Sequence, residues 1–275
     1  MASNSILQSK RFRNWAELPP ELLEMILLRD EAFHVLMSAR RVCKAWHRVG
    51  SDPALWRVLD LRCAGYRYGV DVETMARRAV DLSCGQSVDL SIAFWATDHV
   101  LLYISQRSSQ LRRVHLVSCS NLTNVGLIQV VKNLPLLEEL HLYHIDVSWH
   151  VIKAAGRHCP QLKSFKLNDQ HKGTQNDLCN KEAQAVAKYM PGLRHLQLVA
   201  NTMSLEGLLA IFKKCHHLET LDIRQCHNLK PLLLYHEADL LKCLAQCKKN
   251  LRITYDNLLA EESDKPIFSS LWPYL

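Results

Sequence analysis

The sequence predicts an α/β fold in which a separate segment of three short helices precedes a short solenoid of about seven strand–helix units. Two observations carry that expectation. A six-residue apolar pattern recurs at a near-constant period, and apolar residues near the start follow helical spacing between prolines. Bulk composition sets the class: of 275 residues 48% are hydrophobic and 22% charged, as in an ordinary soluble protein. No apolar run reaches the ~18 residues that a membrane helix needs. Met1 to Lys10 has no hydrophobic signal core, so the expected location is the nucleus and/or cytoplasm and the ten cysteines are expected as free, buried thiols.

The recurring pattern is apolar-x-x-apolar-x-apolar. It reads Leu111-Arg-Arg-Val114-His-Leu116, Leu137-Glu-Glu-Leu140-His-Leu142, Leu162-Lys-Ser-Phe165-Lys-Leu167, Leu193-Arg-His-Leu196-Gln-Leu198 and Leu218-Glu-Thr-Leu221-Asp-Ile223, with starts 26, 25, 31 and 25 residues apart. Two weaker copies lie upstream, Trp56-Arg-Val-Leu59-Asp-Leu61 and Gly85-Gln-Ser-Val88-Asp-Leu90. Strand side chains alternate, so Val114, Leu116, Leu140 and Leu142 point inward while Arg113, His115, Glu139 and His141 point outward. Each strand leads to a helical stretch whose start is marked by Thr97, Thr123, Ser148 or Ser204, and Pro135, Pro160 and Pro191 follow the helices closely. The longer unit from Leu162 carries a polar excess, Asp169–Asp177, expected as an exposed loop.

The period lies within the 20–29 residues typical of leucine-rich repeats. Cys119 and Cys226 each stand three residues after the last strand apolar and are followed by Asn-Leu, and Leu122-Thr-Asn-Val-Gly-Leu127 opens a helix. These residues resemble the cysteine-containing class of leucine-rich repeats, with Asn124 where that class has Asp. The resemblance covers roughly residues 55–230; the unit at His144-Ile-Asp146 and the stretch after Leu167 lack the cysteine.

In front of the repeats, Pro19 and Pro20 fit a helix start, and Leu22, Leu23, Ile26 and Leu27 form one apolar face at helical spacing. Val42, Cys43, Trp46 and Val49 form a second. Leu18-Pro-x-Glu-Leu-Leu23, Val42-Cys-Lys-x-Trp46 and Asp52-Pro-x-Leu-Trp56 resemble an F-box in order and spacing. The sequence departs from that pattern at Arg29–His34, which lacks the usual Leu-Pro. The divisions expected are a basic tail over 1–13, the F-box over 14–57, the repeats over 58–230, and a C-terminal cap and tail over 231–275.

Catalytic chemistry is not expected. There is no phosphate-cradling glycine loop, no His-Glu-x-x-His and no Cys-x-x-Cys, and pairs such as His158-Cys159 and Cys215-His216 read as packing at helix ends, so neither cofactor nor metal is expected. The net charge of +7 arises from clusters at Lys10–Arg13, Arg40-Arg41 with Lys44 and Arg48, and Arg112-Arg113. No nucleic-acid motif accompanies the charge, so a solvated basic surface is expected rather than a nucleic-acid partner, and no membrane contact is expected.

What the resemblance implies is a short plant-type F-box/leucine-rich-repeat protein, the non-catalytic substrate-recognition subunit of an SCF-type ubiquitin ligase. Its F-box would bind a Skp-family adaptor, and through it a cullin–RING complex, with Leu18, Pro19, Leu22, Leu23, Ile26, Val42, Cys43, Trp46 and Trp56 shared between that interface and the F-box core. The target protein, unidentified, would meet the outward strand positions Arg113, His115, Glu139, His141, Tyr143, Lys166, His195, Asp222 and Arg224, with Arg113, Tyr143 and Arg224 favoured because Tyr and Arg dominate interface energetics. The alternatives are a small-molecule hormone receptor of the same architecture and a non-SCF scaffold or nucleic-acid-binding repeat protein.

Overall fold

Helix α1 (Pro20–Leu27) begins where the prolines predict, Pro20 occupying the first turn where a missing N–H leaves no carbonyl unpaired. Helices α2 (Ala32–Met37) and α3 (Lys44–Val49) follow, and single 3₁₀ turns cover Ala39–Arg41 and Pro53–Trp56. Where the Leu-Pro is missing, Glu31 is the N-cap of α2 without a side-chain cap bond, and Asp30 holds the approach to it. Its Oδ1 accepts from the Glu31 N–H at 2.9 Å, and its Oδ2 lies 2.5 Å from His34 Nδ1. The computed structural model describes residues 14–62, 71–168, 180–229 and 251–255. The basic tail, the Asp169–Asp177 loop and most of the C-terminal cap lie outside the described residues.

Strand β1 (Val58–Leu61) is followed by α4 (Val72–Leu82), β2 (Asp89–Ala93), α5 (Asp98–Arg107), β3 (Arg113–Val117) and α6 (Asn124–Lys132). Then come β4 (Glu139–Tyr143), α7 (Trp149–His158), β5 (Ser164–Asn168), α8 (Lys181–Tyr189), β6 (His195–Val199), α9 (Leu205–Lys214), β7 (Thr220–Asp222) and β8 (Arg252–Thr254). All pairings are parallel, and spatial order equals chain order from β1 to β8. The sheet therefore runs one strand past the seven units that the pattern reveals. At β8 the pattern shrinks to Leu251-Arg-Ile253, too short to stand out from the sequence around it.

Register is constant from strand to strand. Val114 pairs with Leu140, Leu140 with Phe165 and Phe165 with Leu196, so equivalent apolar residues form continuous inner rows. Directly after the strands the chain enters the left-handed region at residues that are not glycine: Phe94 (φ 74°), Ser118 (51°), His144 (55°) and Ala200 (57°). Each costs about 1 kcal/mol of backbone strain, and each carries a hydrogen bond that offsets it. The N–H groups of Phe94, Ser118 and His144 donate to the last carbonyl of the next strand, and that of Ala200 to the Arg224 carbonyl two residues past β7, at 2.8–2.9 Å.

The outer layer is tied in the same way. Thr97 Oγ1 and Thr123 Oγ1 cap their helices by accepting from Val100 and Gly126 N–H groups. Ser148 and Ser204 make no such side-chain cap. Their backbone N–H groups instead donate to Asn124 Oδ1 (2.7 Å) and Asn180 Oδ1 (2.8 Å) of the preceding repeat, as Thr123 N–H does to Asp98 Oδ1 (2.9 Å). Four buried thiols, Cys119, Cys159, Cys215 and Cys226, donate to main-chain carbonyls of the repeat before, while Cys84 is exposed. No helix among the described residues is long and apolar enough to cross a membrane.

Gly156 on α7 meets the end of α8 so closely that a Cβ built there would lie 2.7 Å from Tyr189 C and Cβ and closer still to the Tyr189 carbonyl oxygen. Gly156→Ala would gain up to about 1 kcal/mol from helix propensity alone. Separating the two backbones outweighs this, because overpacking costs about 1–3 kcal/mol. The expected outcome is a lower urea midpoint in equilibrium unfolding; an equal or higher midpoint would show that α7 and α8 can part freely.

Candidate functional site

The N-terminal helices sort their motif residues into two groups. Leu23 and Trp56, 1% and 2% exposed, belong to the hydrophobic core together with Leu27, Phe33 and Leu36. Trp56 also donates its indole N–H to the Gly50 carbonyl at 3.2 Å, so both ends of its side chain are satisfied inside. Neither residue has surface to offer a partner, so of the residues expected to be shared between interface and core these two belong to the core. Leu22, Ile26 and Val42 are 50%, 42% and 53% exposed, and Pro19 is exposed beside them in sequence. Leu18, Cys43 and Trp46 are half-buried, Trp46 donating to the Trp15 carbonyl at 3.0 Å. α1 thus carries an inward Leu23/Leu27 face and a second, solvent-facing apolar surface to which Met25 also contributes; helical spacing alone reads them as one stripe.

Arg40, expected in a solvated basic cluster, is buried. Its guanidinium donates to Ser51 Oγ at 3.0 Å and lies 3.3 Å from His47 Nε2, bracing α3. Three cations on or beside the strands are paired: Arg113 on β3 with Asp89 at 2.7 Å, Arg112 just before β3 with Glu138 at 2.8 Å, and Arg224 just after β7 with Asp222 at 2.8 Å. Exposed pairs of this kind add little stability and mainly fix side-chain direction.

The outward positions of β2–β7 form a grid. One row runs Asp89, Arg113, Glu139, Ser164, His195, Thr220 and the next Ser91, His115, His141, Lys166, Gln197, Asp222. The grid brings seven of the predicted target-facing residues onto one surface (Arg113, His115, Glu139, His141, Lys166, His195 and Asp222), with Tyr143 in the next row and Arg224 just past β7. Its centre differs from expectation: His141 is 6% exposed, and Ser164 and Asn168 are buried too. Strands spaced ~4.8 Å apart force large neighbouring side chains into lateral contact. His141 stacks on His115 with centroids 4.3 Å apart and planes 1° from parallel, and meets the Tyr143 ring edge-on. Its Nε2 lies 2.9 Å from Ser164 Oγ, and Glu139 Oε2 is 3.8 Å from the Nε2 of both histidines. At the far side His195 Nδ1 lies 3.0 Å from Thr220 Oγ1.

Burial pushes the His141 imidazolium pKa down to about 2, with the His115, Lys166 and His195 charges acting in the same direction. His115 is also lowered, by burial first, with Asp89 and Glu139 opposing. Burial raises the Cys119 thiol and pushes Cys159 up to about 12, so both remain protonated donors at neutral pH.

Because His141 is neutral when folded and an ordinary histidine when unfolded, the unfolded chain binds the extra proton. Its contribution to stability is complete above pH 6.5 and is lost as pH falls toward about 2. Between pH 6.5 and about pH 5 that loss is about 2 kcal/mol. Urea unfolding in EDTA-containing buffers should show a pH dependence shallower by that amount in His141→Gln than in the wild type; identical slopes would remove His141 as its source.

An F-box-like family model matches residues 15–62. F-box/LRR-repeat protein 23 of Arabidopsis thaliana is 40% identical over 258 residues, covering 92% of this chain and 56% of its own length. F-box/LRR-repeat protein 9 of the same plant is 41% identical over 231 residues, covering 81% of this chain and 92% of its own length. F-box protein SKIP19, also from Arabidopsis thaliana, is 43% identical over 218 residues, covering 78% and 70%. The chain spans little more than half the length of F-box/LRR-repeat protein 23 but nearly all of F-box/LRR-repeat protein 9. A short helical segment with one apolar face turned outward, continuous with a repeating parallel sheet, is what this relationship leads one to expect, and the chain belongs to the F-box/LRR-repeat proteins.

Proposed function

We propose that this chain is the substrate-recognition subunit of an SCF-type E3 ubiquitin ligase, its F-box holding a Skp-family adaptor and its repeats holding the protein to be ubiquitinated. The observation that supports this best is the solvent-facing apolar surface of α1. Leu22, Met25 and Ile26 stay exposed on an eight-residue helix whose other face is fully used by the core. Exposed large apolar side chains concentrated on one element mark a surface awaiting a partner. Val42, before α3, adds to the same class of residue. On this reading the adaptor links the chain to a cullin–RING complex, and the ligase works in the nucleus or cytoplasm.

The outward rows of β2–β7 then receive the target. Their mixture of ion pairs, stacked imidazoles and Tyr143 suits a polar protein segment better than an apolar one. The chain itself makes and breaks no bonds in this role. It raises the local concentration of a target lysine beside the charged conjugating enzyme, which is catalysis by positioning.

Leu22→Ala combined with Ile26→Ala is expected to weaken adaptor binding at least about tenfold, since each removes an apolar anchor worth about 1 kcal/mol or more. Stability should change little, because both side chains are already in water. Leu23→Ala should do the reverse and lower stability by about 2–5 kcal/mol. Calorimetric titration with a purified Skp-type adaptor, alongside thermal melts, separates the two; undiminished binding by the folded double variant would rule out this face as the adaptor site.

A further inference from the structure

His115, Glu139 and His141 occupy three corners of one block of the outward grid. His115 and His141 are register partners on β3 and β4, and Glu139 precedes His141 by two residues on the same face. The fourth corner, Arg113, is turned away toward Asp89 at 2.7 Å. Their candidate ligand atoms lie within 4.8 Å of one another, and Glu139 Oε2 stands 3.8 Å from each imidazole Nε2. We propose that these residues form a Zn²⁺ site on the outward face of the sheet, with His115 Nε2, His141 Nε2 and one Glu139 carboxylate oxygen as ligands.

The three ligand atoms are near enough for the ion to gather them by side-chain rotation. Zn²⁺ takes imidazole nitrogens and carboxylate oxygens at ~2.0–2.2 Å in a tetrahedron, which sets ligand atoms roughly 3.3–3.5 Å apart. The carboxylate needs to approach each ring by about half an ångström. Glu139 is partly exposed and has the freedom to do so, while the two rings, stacked with planes 1° from parallel, must turn about their Cβ–Cγ bonds until both Nε2 lone pairs converge on the ion. A second observation points to a ligand. His115 Nε2 is buried with no hydrogen-bond partner, a costly state that coordination relieves. At His141 the ion replaces one hydrogen bond, that with Ser164 Oγ.

Two imidazoles and a carboxylate are the donor set of a three-ligand zinc site with one open position. Here that position faces out of the sheet, where a histidine, cysteine or carboxylate from a bound protein segment could complete the tetrahedron. Lys166, the register partner of His141, adds a nearby positive charge that opposes cation binding. The site follows from strand register and does not depend on the adaptor reading.

The test is titration of the chelator-treated full chain with Zn²⁺ by calorimetry and with Co²⁺ by absorption. Expected are one equivalent bound at micromolar affinity, a cobalt spectrum without thiolate charge transfer, and at least about tenfold weaker binding in both His115→Ala and Glu139→Gln. His158→Ala and His216→Ala, altered at helix ends, should bind as the wild type does. Failure of the wild-type chain to take up an equivalent below a hundred micromolar overturns the proposal. So does thiolate absorption in the cobalt spectrum, or undiminished affinity in Glu139→Gln, a near-isosteric change that leaves the rings in place if His115→Ala should unfold the chain.

Discussion

The left-handed turns that close β2, β3, β4 and β6 govern the rest of the molecule. At Phe94, Ser118, His144 and Ala200 the backbone accepts a conformation that L residues avoid, and the N–H so turned reaches a carbonyl at or just past the end of the next strand. That bond extends the ladder one step beyond the strand ends and leaves each repeat a single register with its neighbour. A slip by one residue would turn every inner leucine outward and lose these closing bonds as well. With register locked, equivalent positions stack, and the outward rows become a surface whose composition can change without touching the inner ones.

The helical side is secured by the same logic using side chains. Asp98, Asn124 and Asn180 accept backbone N–H groups that belong to the next repeat, and the buried thiols donate to carbonyls of the previous one. Polar groups that would be orphaned in an isolated repeat are thereby satisfied between repeats. A single unit cannot stand alone, and stability must come from a run of neighbours. Asn124 replaces the aspartate of the repeat class without loss, since it keeps the accepting oxygen and also donates its amide to the Asp146 carbonyl at 3.3 Å.

Much of this was legible in the sequence, and the gaps have physical causes. The inner rows, the helix starts and the F-box segment announce themselves through period, caps and prolines. The left-handed turns do not, because none of Phe94, Ser118, His144 and Ala200 is glycine and no local signal marks them. Alternation correctly set His141 outward, but its burial depends on which bulky residues lie on the adjacent strands, about 25 residues away in sequence. Neither could period reveal which of Leu22, Leu23 and Ile26 faces inward, since a short helix with two apolar faces looks like one broad stripe. The meeting of His115, Glu139 and His141 needed the strand register to be seen.

How the two halves are joined bears on how the chain could position a target. One core runs without interruption from Leu23 and Trp56 through Leu59 and Leu61 into Leu90 and Ile92. Across the junction Ser87 Oγ donates to the Trp56 carbonyl at 3.0 Å, Trp95 Nε1 donates to the Leu61 carbonyl at 3.0 Å, and Phe33 packs edge-on against Trp95. Buried hydrogen bonds and interlocked aromatic rings make a joint that resists bending, unlike a glycine- or serine-rich linker. An adaptor seated on Leu22 and Ile26 would therefore fix the direction of the outward strand rows as well as their distance. On the proposed function, positional catalysis would gain from that rigidity, because a tethered lysine that samples fewer directions spends more time within reach of the reacting thioester.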